Sequence, residues 1–316
     1  MQLIHGFEGL EPGQRGASAA LGNFDGVHRG HQALIAEAAQ AGAQIAAPAG
    51  VITFEPHPRR FFQPDAPPFR LTLAEEKARI LAGLGIQHLH QISFDVALAA
   101  MPAEDFVTRV LAQGLGIRHL VIGEDFRFGK GRGGDATLLR AMSAELGFTV
   151  SIQHLLGGDG GEFASTAVRV LLEEGRVAAA AEQLGRWHSV TGTVQNGDQR
   201  GRELGYPTAN LNFGEQIIPR YGIYAARVEV LDGPHQGVHD GVASIGERPT
   251  FGVNAPNFEV HLFDFVGDLY GARISAGLVA WLRGEENFDD VDALVAQMDR
   301  DSDRAREQLA TARLPD

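Results

Sequence analysis

The order of two apolar patterns along the chain is the feature that most restricts its fold. Between Ser18 and about Leu184, short apolar runs alternate with longer runs whose apolar residues recur at helical spacing. The candidate strands are SAAL (18–21), GVITF (50–54), QHLHQI (87–92), HLVIG (119–123) and FTVSI (148–152). Runs such as GHQALIAEAAQAG, LAEEKARILAGLG and AEDFVTRVLAQGL predict helices between them. Because such repeats need crossover connections, the sequence predicts a doubly wound α/β domain with a parallel sheet covered on both faces.

The pattern changes after GRWHSVTG (185–192), where the helical spacing ends. Runs rich in β-forming residues follow between Gly, Pro and Asn breaks, for example YGIYAARVEVL, GVASIG and FEVHLFDF. Strands in this arrangement predict an antiparallel barrel or sandwich. We place the domain boundary near Arg186, so the predicted domains are residues 1–185 and 186–316.

The last segment of the chain, Val291 to Leu309, returns to helical spacing. Asp301 and Ser302 interrupt its apolar face. We therefore expect a C-terminal helix that only packs on the barrel and leaves its charged face in solvent.

Charge and cysteine content restrict the partners and the compartment. The chain has 40 acidic and 27 basic residues, and its net charge of −13 would repel nucleic acid and acidic membrane surfaces. It has no cysteine, which excludes disulfides and thiolate metal sites. The N-terminus MQLIHGFEGL lacks the pattern of a signal peptide, and no apolar stretch approaches membrane-spanning length. We expect a cytoplasmic protein without nucleic-acid or membrane partners.

The motif GNFDGVHRGH (22–31) follows the first predicted strand and leads into the first predicted helix. Ligands of open parallel sheets bind at such places, where glycines allow close backbone approach and a helix start offers N–H groups to an anion. His28 and His31 could donate hydrogen bonds to a phosphate whose charge grows in a transition state, as in phosphoryl or nucleotidyl transfer. The same spacing also fits a simple turn, a surface histidine pair or two metal ligands.

Two later segments are further candidates for phosphate contact. FASTAVRVLLEEG (163–175) places Ser165 and Thr166 at a helix start with Arg169 one turn on, which fits a phosphate site or an ordinary helix cap. GEDFRFGKGRGGD (123–135) holds three cations among glycines, namely Arg127, Lys130 and Arg132. This second segment fits either an anion-binding loop or a flexible solvated loop.

In the second half, YPTAN places Thr208 and Asn210 two apart on an extended segment, so their oxygens point to the same face. Hard oxygen ligands suit Mg²⁺ together with ATP phosphates, although the motif also fits a polar turn. The preceding GDQRGRELG predicts a mobile flap that could close over a nucleotide. Glu259 alternates with Phe258 and Val260, which by itself indicates an outward, solvated side chain.

Several long motifs, in one order, resemble the bifunctional prokaryotic riboflavin kinase/FAD synthetase family. In the first half these are GNFDGVHRGHQ, TFEPHP, GEDFRFGKGRGGD and STAVR. In the second half they are GDQRGRELGYPTANL, GVASIGERPTF, FEVHLFDFVGDLYG and LRGEENF. The resemblance covers nearly the whole chain and implies an N-terminal nucleotidyltransferase domain followed by a flavokinase β-barrel.

For the first half, the resemblance implies transfer of AMP from ATP onto FMN, giving FAD and pyrophosphate with the help of Mg²⁺. The residues implied to lie against ATP are Gly22, Asn23, Phe24, Asp25, His28 and His31. Those implied to hold its phosphates from the other side are Ser165, Thr166 and Arg169. Many relatives have a hydroxyl in place of Ala164 and a basic residue in place of Ala167, which leaves the strength of phosphate binding open. The flavin side is implied to include Asp125 and Arg127.

For the second half, the resemblance implies transfer of the γ-phosphate of ATP to the 5′-hydroxyl of riboflavin, which gives FMN. Glu259 matches the family's catalytic base, and Thr208 and Asn210 match its ligands for Mg²⁺ and ATP. The loop implied to cover ATP includes Gly197, Gly205 and Pro207. The residues implied to shape the isoalloxazine pocket are Arg283, Glu285 and Phe288.

The residues alone leave other functions to compare. A different adenylyl or cytidylyl transferase shares the HxGH pattern but has no reason to carry GYPTAN and the glutamate strand. A non-catalytic flavin carrier could lose Glu259, His28 and His31, yet all three are present. A barrel that binds RNA conflicts with the acidic charge balance. The sequence leaves the oligomeric state open.

Overall fold

The computed structural model describes residues 1–154, 157–158, 161–197, 204–250 and 253–314. The chain forms two compact units, each built around its own sheet. The first unit contains Met1–Ala66 and Ala74–Ala164, and the second contains Pro67–Leu73 and Ser165–Asp316. Within the described ranges, no helix combines the length and apolar character needed to cross a membrane.

The first unit contains a six-stranded sheet in which every neighbouring pair of strands is parallel. In chain order the strands are β1 (Gln2–His5), β2 (Ser18–Leu21), β3 (Ala49–Glu55), β4 (His88–Ser93), β5 (His119–Gly123) and β6 (Thr149–Gln153). Their spatial order is β1-β4-β3-β2-β5-β6. All five predicted strands are present. β1 was not predicted, because this four-residue edge strand has a single buried side chain and hence no clear apolar pattern.

Helices connect these strands and cover the sheet. They are α1 (Arg29–Gln44), α2 (Pro58–Phe62), α3 (Ala74–Gly83), α4 (Val96–Ala100), α5 (Ala103–Asp105, continued by a π-helical stretch Phe106–Gly114) and α6 (Ala136–Leu146). Alternate strand residues pack into separate apolar clusters, because successive side chains point to opposite faces of a sheet. In β3, for example, Val51 lies in one cluster and Ile52 in the other. The predicted doubly wound α/β fold is confirmed.

A short hairpin of β7 (Gly157–Gly158) and β8 (Gly161–Glu162) precedes the strands of the second unit. The second unit contains six antiparallel strands, which are β9 (His188–Thr193), β10 (Ala209–Leu211), β11 (Gly222–Val230), β12 (Gly237–Thr250), β13 (Val253–Leu262) and β14 (Arg273–Arg283). Their spatial order is β10-β13-β12-β11-β14-β9. Gln195, just after β9, forms a bridge with Asn210 in β10, which brings the two edges of the curled sheet together. Of the two predicted antiparallel architectures, the structure has the β-barrel.

Two helices before the barrel belong to its unit, α7 (Ser165–Glu173) and α8 (Val177–Leu184). Leu172 and Leu184 pack in the same apolar core as Val228 of β11. This unit therefore begins before Arg186. The sequence did not predict this, because apolar spacing identifies a helix but not the sheet against which the helix packs. The division into modules at residues 185 and 186 stays a prediction.

The C-terminal helix, Val291–Thr311, is continuous through Asp301 and Ser302. Asp301 is 5% exposed and forms an ion pair with Arg283 of β14, with 2.7 Å between Nη2 and Oδ2. The apparent break in the apolar face is therefore a buried charge with a partner, which is how proteins accommodate carboxylates in their interior.

Candidate active sites

The turn between β2 and α1 carries the glycine- and histidine-rich motif. Its backbone has positive φ angles at Phe24 (49°), Gly26 (85°) and Val27 (41°). Such angles are unusual for residues with a side chain, so the surrounding structure must hold them in place. Phe24 and Val27 are both 0% exposed, and their burial provides part of that support.

His28 and His31 lie together at the start of α1. Nδ1 of His28 accepts a hydrogen bond from the backbone N–H of His31 at 3.4 Å, so His28 caps the helix. The two rings stack with their centroids 3.6 Å apart. A Cβ at Gly30 would lie 3.2 Å from His28 Nδ1 and 3.2 Å from the carbonyl oxygen of Phe163. Glycine thus allows the histidine ring and the chain just before Ser165 to approach the same turn.

The other residues of this motif differ in their exposure. Asn23 is exposed, whereas Asp25 is only 2% exposed. The backbone N–H of Gly22 donates to the carbonyl oxygen of Ile52 in the neighbouring strand at 3.1 Å. The turn is therefore anchored to the sheet at its beginning and capped by histidine at its end.

A cavity of about 700 Å³ lies beside Asn23 in the first unit. Its apolar wall is aromatic, formed by Phe54, Phe62, Phe94, Phe106, Phe126 and Phe128. Its charged wall is cationic, formed by Arg59, Arg127, Lys130 and Arg132. This lining suits a ligand with a flat ring system and an anionic group.

The sequence motifs predicted one side of this cavity but not its aromatic wall. Of the predicted flavin-side residues, Arg127 lines the cavity and Asp125 is exposed. A signal for the aromatic wall was present, because Phe54, Phe94 and Phe126 each lie at or just beyond the carboxyl end of a strand. These ends meet at one edge of a parallel sheet, where ligands bind.

The predicted second phosphate motif lies at the start of α7, in the second unit. Ser165 is half-buried and Thr166 is exposed. The Arg169 guanidinium is held by the segment Pro67–Leu73, where Nε donates to the carbonyl oxygen of Phe69 at 2.9 Å and the group lies over the Phe69 ring. The roles of these residues toward ATP stay predictions.

In the second unit, strand register brings the predicted kinase residues together. Asn210 of β10 pairs with Glu259 of β13, which also pairs with Ser244 of β12. The Thr208 hydroxyl donates to Glu259 Oε2 at 3.1 Å, and the Asn257 amide donates to Oε1 at 2.7 Å. Glu259 is half-buried and its carboxylate is oriented by two donors, so it is not the freely solvated side chain that alternation alone indicates.

The predicted nucleotide flap is described only at its ends. Residues 198–203 lie outside the described residues. At one end, Gly197 lies against the Asn210 side chain, and a Cβ there would be 2.5 Å from Nδ2. At the other end, Gly205 has a φ of 84° and the Pro207 carbonyl oxygen contacts His261 Nδ1 at 2.8 Å. A side chain at Gly197 would therefore displace the Asn210 amide.

A cavity of about 330 Å³ opens beside Thr208 and Glu259. The barrel strands contribute Ile223, Val242, Ala243, Ser244 and His261 to its lining. The other lining residues are Leu204 and Tyr206, then Arg283, Glu285, Glu286 and Phe288, then Leu294, Met298 and Asp301. Tyr206 donates a hydrogen bond to Asp299, and its pKa is raised by burial and then by that bond. The expectation that the C-terminal helix only packs on the barrel was wrong, because the helix forms one wall of this cavity.

Arg283 lines the cavity but is held by protein groups. Its guanidinium forms a bidentate pair with Asp301, donates to the Gly284 carbonyl oxygen at 2.8 Å, and lies over the Phe288 ring. These contacts connect β14, the segment after it and the C-terminal helix. Arg283 therefore shapes the cavity by fixing its walls.

The two family models and the full-length relatives indicate the same pair of activities for this chain. A family model described as FAD synthetase matches residues 10–167, and one described as riboflavin kinase matches residues 184–309. The chain is 41% identical to the bifunctional riboflavin kinase/FMN adenylyltransferase of Escherichia coli K12 and 39% identical to that of Pseudomonas fluorescens, with 97% of each chain covered in both cases. A Streptococcus pneumoniae crystal structure described as a macrolide-efflux protein has a TM-score of 0.84 and 29% identity, covering 97% of this chain and 99% of that one. The efflux description refers to that protein, while both family models and the near full-length relatives show that this chain belongs to the bifunctional riboflavin kinase/FMN adenylyltransferase family.

Proposed function

We propose that the chain makes FAD in two steps, phosphorylating riboflavin to FMN and then adenylylating FMN, with ATP as co-substrate in both. The observation that carries this proposal is the presence of two chemically different sites in two compact units. One presents an oriented carboxylate, and the other presents a histidine pair at the end of the turn whose Asn23 lines an aromatic and cationic cavity. Because both steps consume ATP, we propose the cytoplasm as the place of action.

In the proposed kinase step, the 5′-hydroxyl of riboflavin must lose its proton as it attacks the γ-phosphorus. Glu259 is the base, because its carboxylate borders the cavity and is oriented by Thr208 and Asn257. The isoalloxazine ring lies toward Phe288 and the apolar side chains of the C-terminal helix. The bound ring would fill the cavity and exclude water, which would otherwise compete as phosphoryl acceptor.

In the proposed adenylyl step, the nucleophile is the FMN phosphate, which is already ionised and needs no strong base. Positioning and charge stabilisation therefore account for most of the rate. His28 and His31 donate hydrogen bonds to the ATP phosphates at the start of α1. The FMN ring binds among the phenylalanines of the 700 Å³ cavity, and its phosphate is attracted by Arg127 and Lys130.

Magnesium is part of the proposal for both steps. Among the described residues, no three or more His, Asp or Glu side chains are grouped so that they could hold a metal ion. The barrel site instead offers hydroxyl and amide oxygens from Thr208 and Asn210, which suit Mg²⁺ bound together with ATP phosphates. The ion, when bound, would neutralise phosphate charge. The Glu259 carboxylate is oriented by Thr208 and Asn257.

The test is a timed reaction of the purified protein with riboflavin, ATP and Mg²⁺, followed by chromatography of the flavins. FMN is expected first and FAD later, and a second reaction started from FMN should give FAD directly. Reactions without enzyme or with excess chelator are the controls. If neither FMN nor FAD exceeds the no-enzyme control, the proposed function is wrong.

A further inference from the structure

A lysine is fully buried beneath the turn that carries the histidine motif. Lys77, on α3, is 0% exposed. Its ammonium group lies 2.9 Å from Glu55 Oε1, and it donates to Thr53 Oγ1 at 3.1 Å and to the carbonyl oxygen of Asn23 at 3.2 Å. Burying an ammonium group is costly unless it is paired and hydrogen-bonded, so the position of Lys77 is closely determined by these partners.

The Asn23 carbonyl is the point at which this cluster meets the turn. The Thr53 hydroxyl also donates to the Asn23 carbonyl oxygen, at 3.1 Å. Lys77 and Thr53 both donate to this oxygen from the buried side of the turn, so the peptide between Asn23 and Phe24 is held in one orientation. Because the carbonyl and N–H of a trans peptide point in opposite directions, the Phe24 N–H faces away from Lys77.

The turn needs such support at this position. Phe24, immediately after the held carbonyl, has a φ of 49°, and Val27 has a φ of 41°. Residues with side chains adopt these angles only where surrounding contacts impose them. The burial of Phe24 supplies one such contact, and the hydrogen bonds from Lys77 and Thr53 supply a second one directly on the backbone.

We propose that Lys77, together with Glu55 and Thr53, is a positioning residue for adenylyl transfer. It acts by holding the Asn23 carbonyl and thereby keeping the Gly22–His31 turn in the shape that receives the ATP phosphates. This inference rests on the proposed function, since it assigns a role within the same site. Nothing in it requires Lys77 to contact a substrate.

The sharpest test compares Thr53→Val with Thr53→Ser. Valine keeps the shape but removes the hydroxyl, whereas serine keeps the hydroxyl. We expect kcat/KM for FAD formation from FMN to fall roughly 10-fold in Thr53→Val relative to Thr53→Ser, with a higher KM for ATP, because valine loses both the hydrogen bond that the hydroxyl donates to the Asn23 carbonyl and the one that it accepts from Lys77. FMN formation from riboflavin, measured in the same samples, should stay within about twofold of the wild type, because its site lies in the other unit.

The second variant removes the buried charges as a pair, Lys77→Met with Glu55→Gln. Without the ammonium group, the turn is misplaced, and we expect FAD formation to fall on the order of 100-fold while FMN formation continues. If this variant does not fold, the comparison of Thr53→Val with Thr53→Ser tests the inference on its own. Equal FAD kcat/KM in Thr53→Val and Thr53→Ser, or parallel loss of both activities, would overturn the inference. A wild type that makes no FAD from FMN would instead defeat the proposed function.

Discussion

The two candidate sites are assembled in different ways. In the first unit, the histidine motif is contiguous in sequence, because the loop after a parallel strand and the start of the next helix are neighbours along the chain. In the barrel, Thr208 and Glu259 are 51 positions apart and meet through the register of antiparallel strands. A local motif can therefore reveal the first site, whereas the second depends on correct strand pairing.

The difference also predicts that the two activities can be separated. The first site relies on backbone geometry and histidines, and the second on one carboxylate oriented by Thr208 and Asn257. A change at either site should therefore affect one reaction and spare the other. The following variants test that separation, starting with the largest expected effect.

Glu259→Gln should break the kinase reaction alone. The substitution keeps the side-chain shape but removes the proton acceptor, so FMN formation is expected to fall by about 10²- to 10⁴-fold. FAD formation from supplied FMN should remain within about twofold of the wild type. Both rates can be followed by chromatography, with Glu229→Gln, a strand glutamate outside the lining of this cavity, as the matched control. Proportional loss of both activities in a folded protein would contradict separate sites.

His31→Ala should have the opposite effect. Because His31 is a proposed donor to the ATP phosphates, its loss is expected to reduce FAD formation by about 10²- to 10³-fold and leave FMN formation unchanged. His31 is the better choice than His28, because only its backbone N–H takes part in the helix cap. Initial rates from FMN and from riboflavin, measured on one preparation, provide the comparison. Unchanged FAD formation would remove His31 from the mechanism.

Arg283→Met should destabilise the second unit by breaking the pair with Asp301. An uncompensated buried carboxylate is expected to lower the free energy of unfolding by about 3–5 kcal/mol and to raise the KM for riboflavin. Replacing both partners, Arg283→Met with Asp301→Leu, should restore most of the stability. Urea unfolding of the two variants measures the difference. A double variant as unstable as the single one would show that burial of a lone charge is not the cause.

Acid should weaken the first unit through a buried histidine in β4. His90 is 0% exposed and, among the described residues, neither ring nitrogen has a hydrogen-bond partner. Burial, with a smaller contribution from His88, lowers the pKa of His90 from 6.5 to about 4. The unfolded chain therefore binds the proton more readily than the folded chain. The stability that neutral His90 contributes is fully present above pH 6.5 and is lost as the pH falls toward 4.

The expected loss is roughly 3 kcal/mol over that interval. Chemical unfolding between pH 7 and about 4.5 measures it, with His90→Leu compared with the wild type. The leucine variant should show a shallower decline, and FAD formation should be lost at a higher pH than FMN formation. Identical pH slopes in the two proteins would exclude His90 as a source of the decline.

The sequence predicted the elements that follow from local patterns. Five strands of the parallel sheet, the strand-rich second half and the helix from Val291 were all recognisable from apolar spacing. The short β1 was not, because its membership of the sheet depends on pairing with β4. Nor was the packing of α7 and α8 with the barrel, because both candidate sheets offer an apolar surface to an amphipathic helix.

Lys77 shows why part of the first site escaped sequence analysis. A lysine on a helix is usually solvated, and the residues next to Lys77 in the sequence do not predict that it is buried. One signal was available, since Lys77 precedes the buried Leu81 by four positions and so lies on the same face of α3. Its partners Glu55 and Thr53 come from β3, and no local pattern indicates that they meet it.

By itself, the sequence determined the fold class, the family and the two motifs on which the proposed chemistry depends. These are local properties, because periodicity and short motifs involve residues that are close together in the sequence. Only the tertiary structure decided which side chains meet: the aromatic wall of the first cavity, the C-terminal helix as a wall of the second, and Lys77 beneath the turn. Burial and long-range hydrogen bonds set these contacts, and both depend on how distant segments pack together.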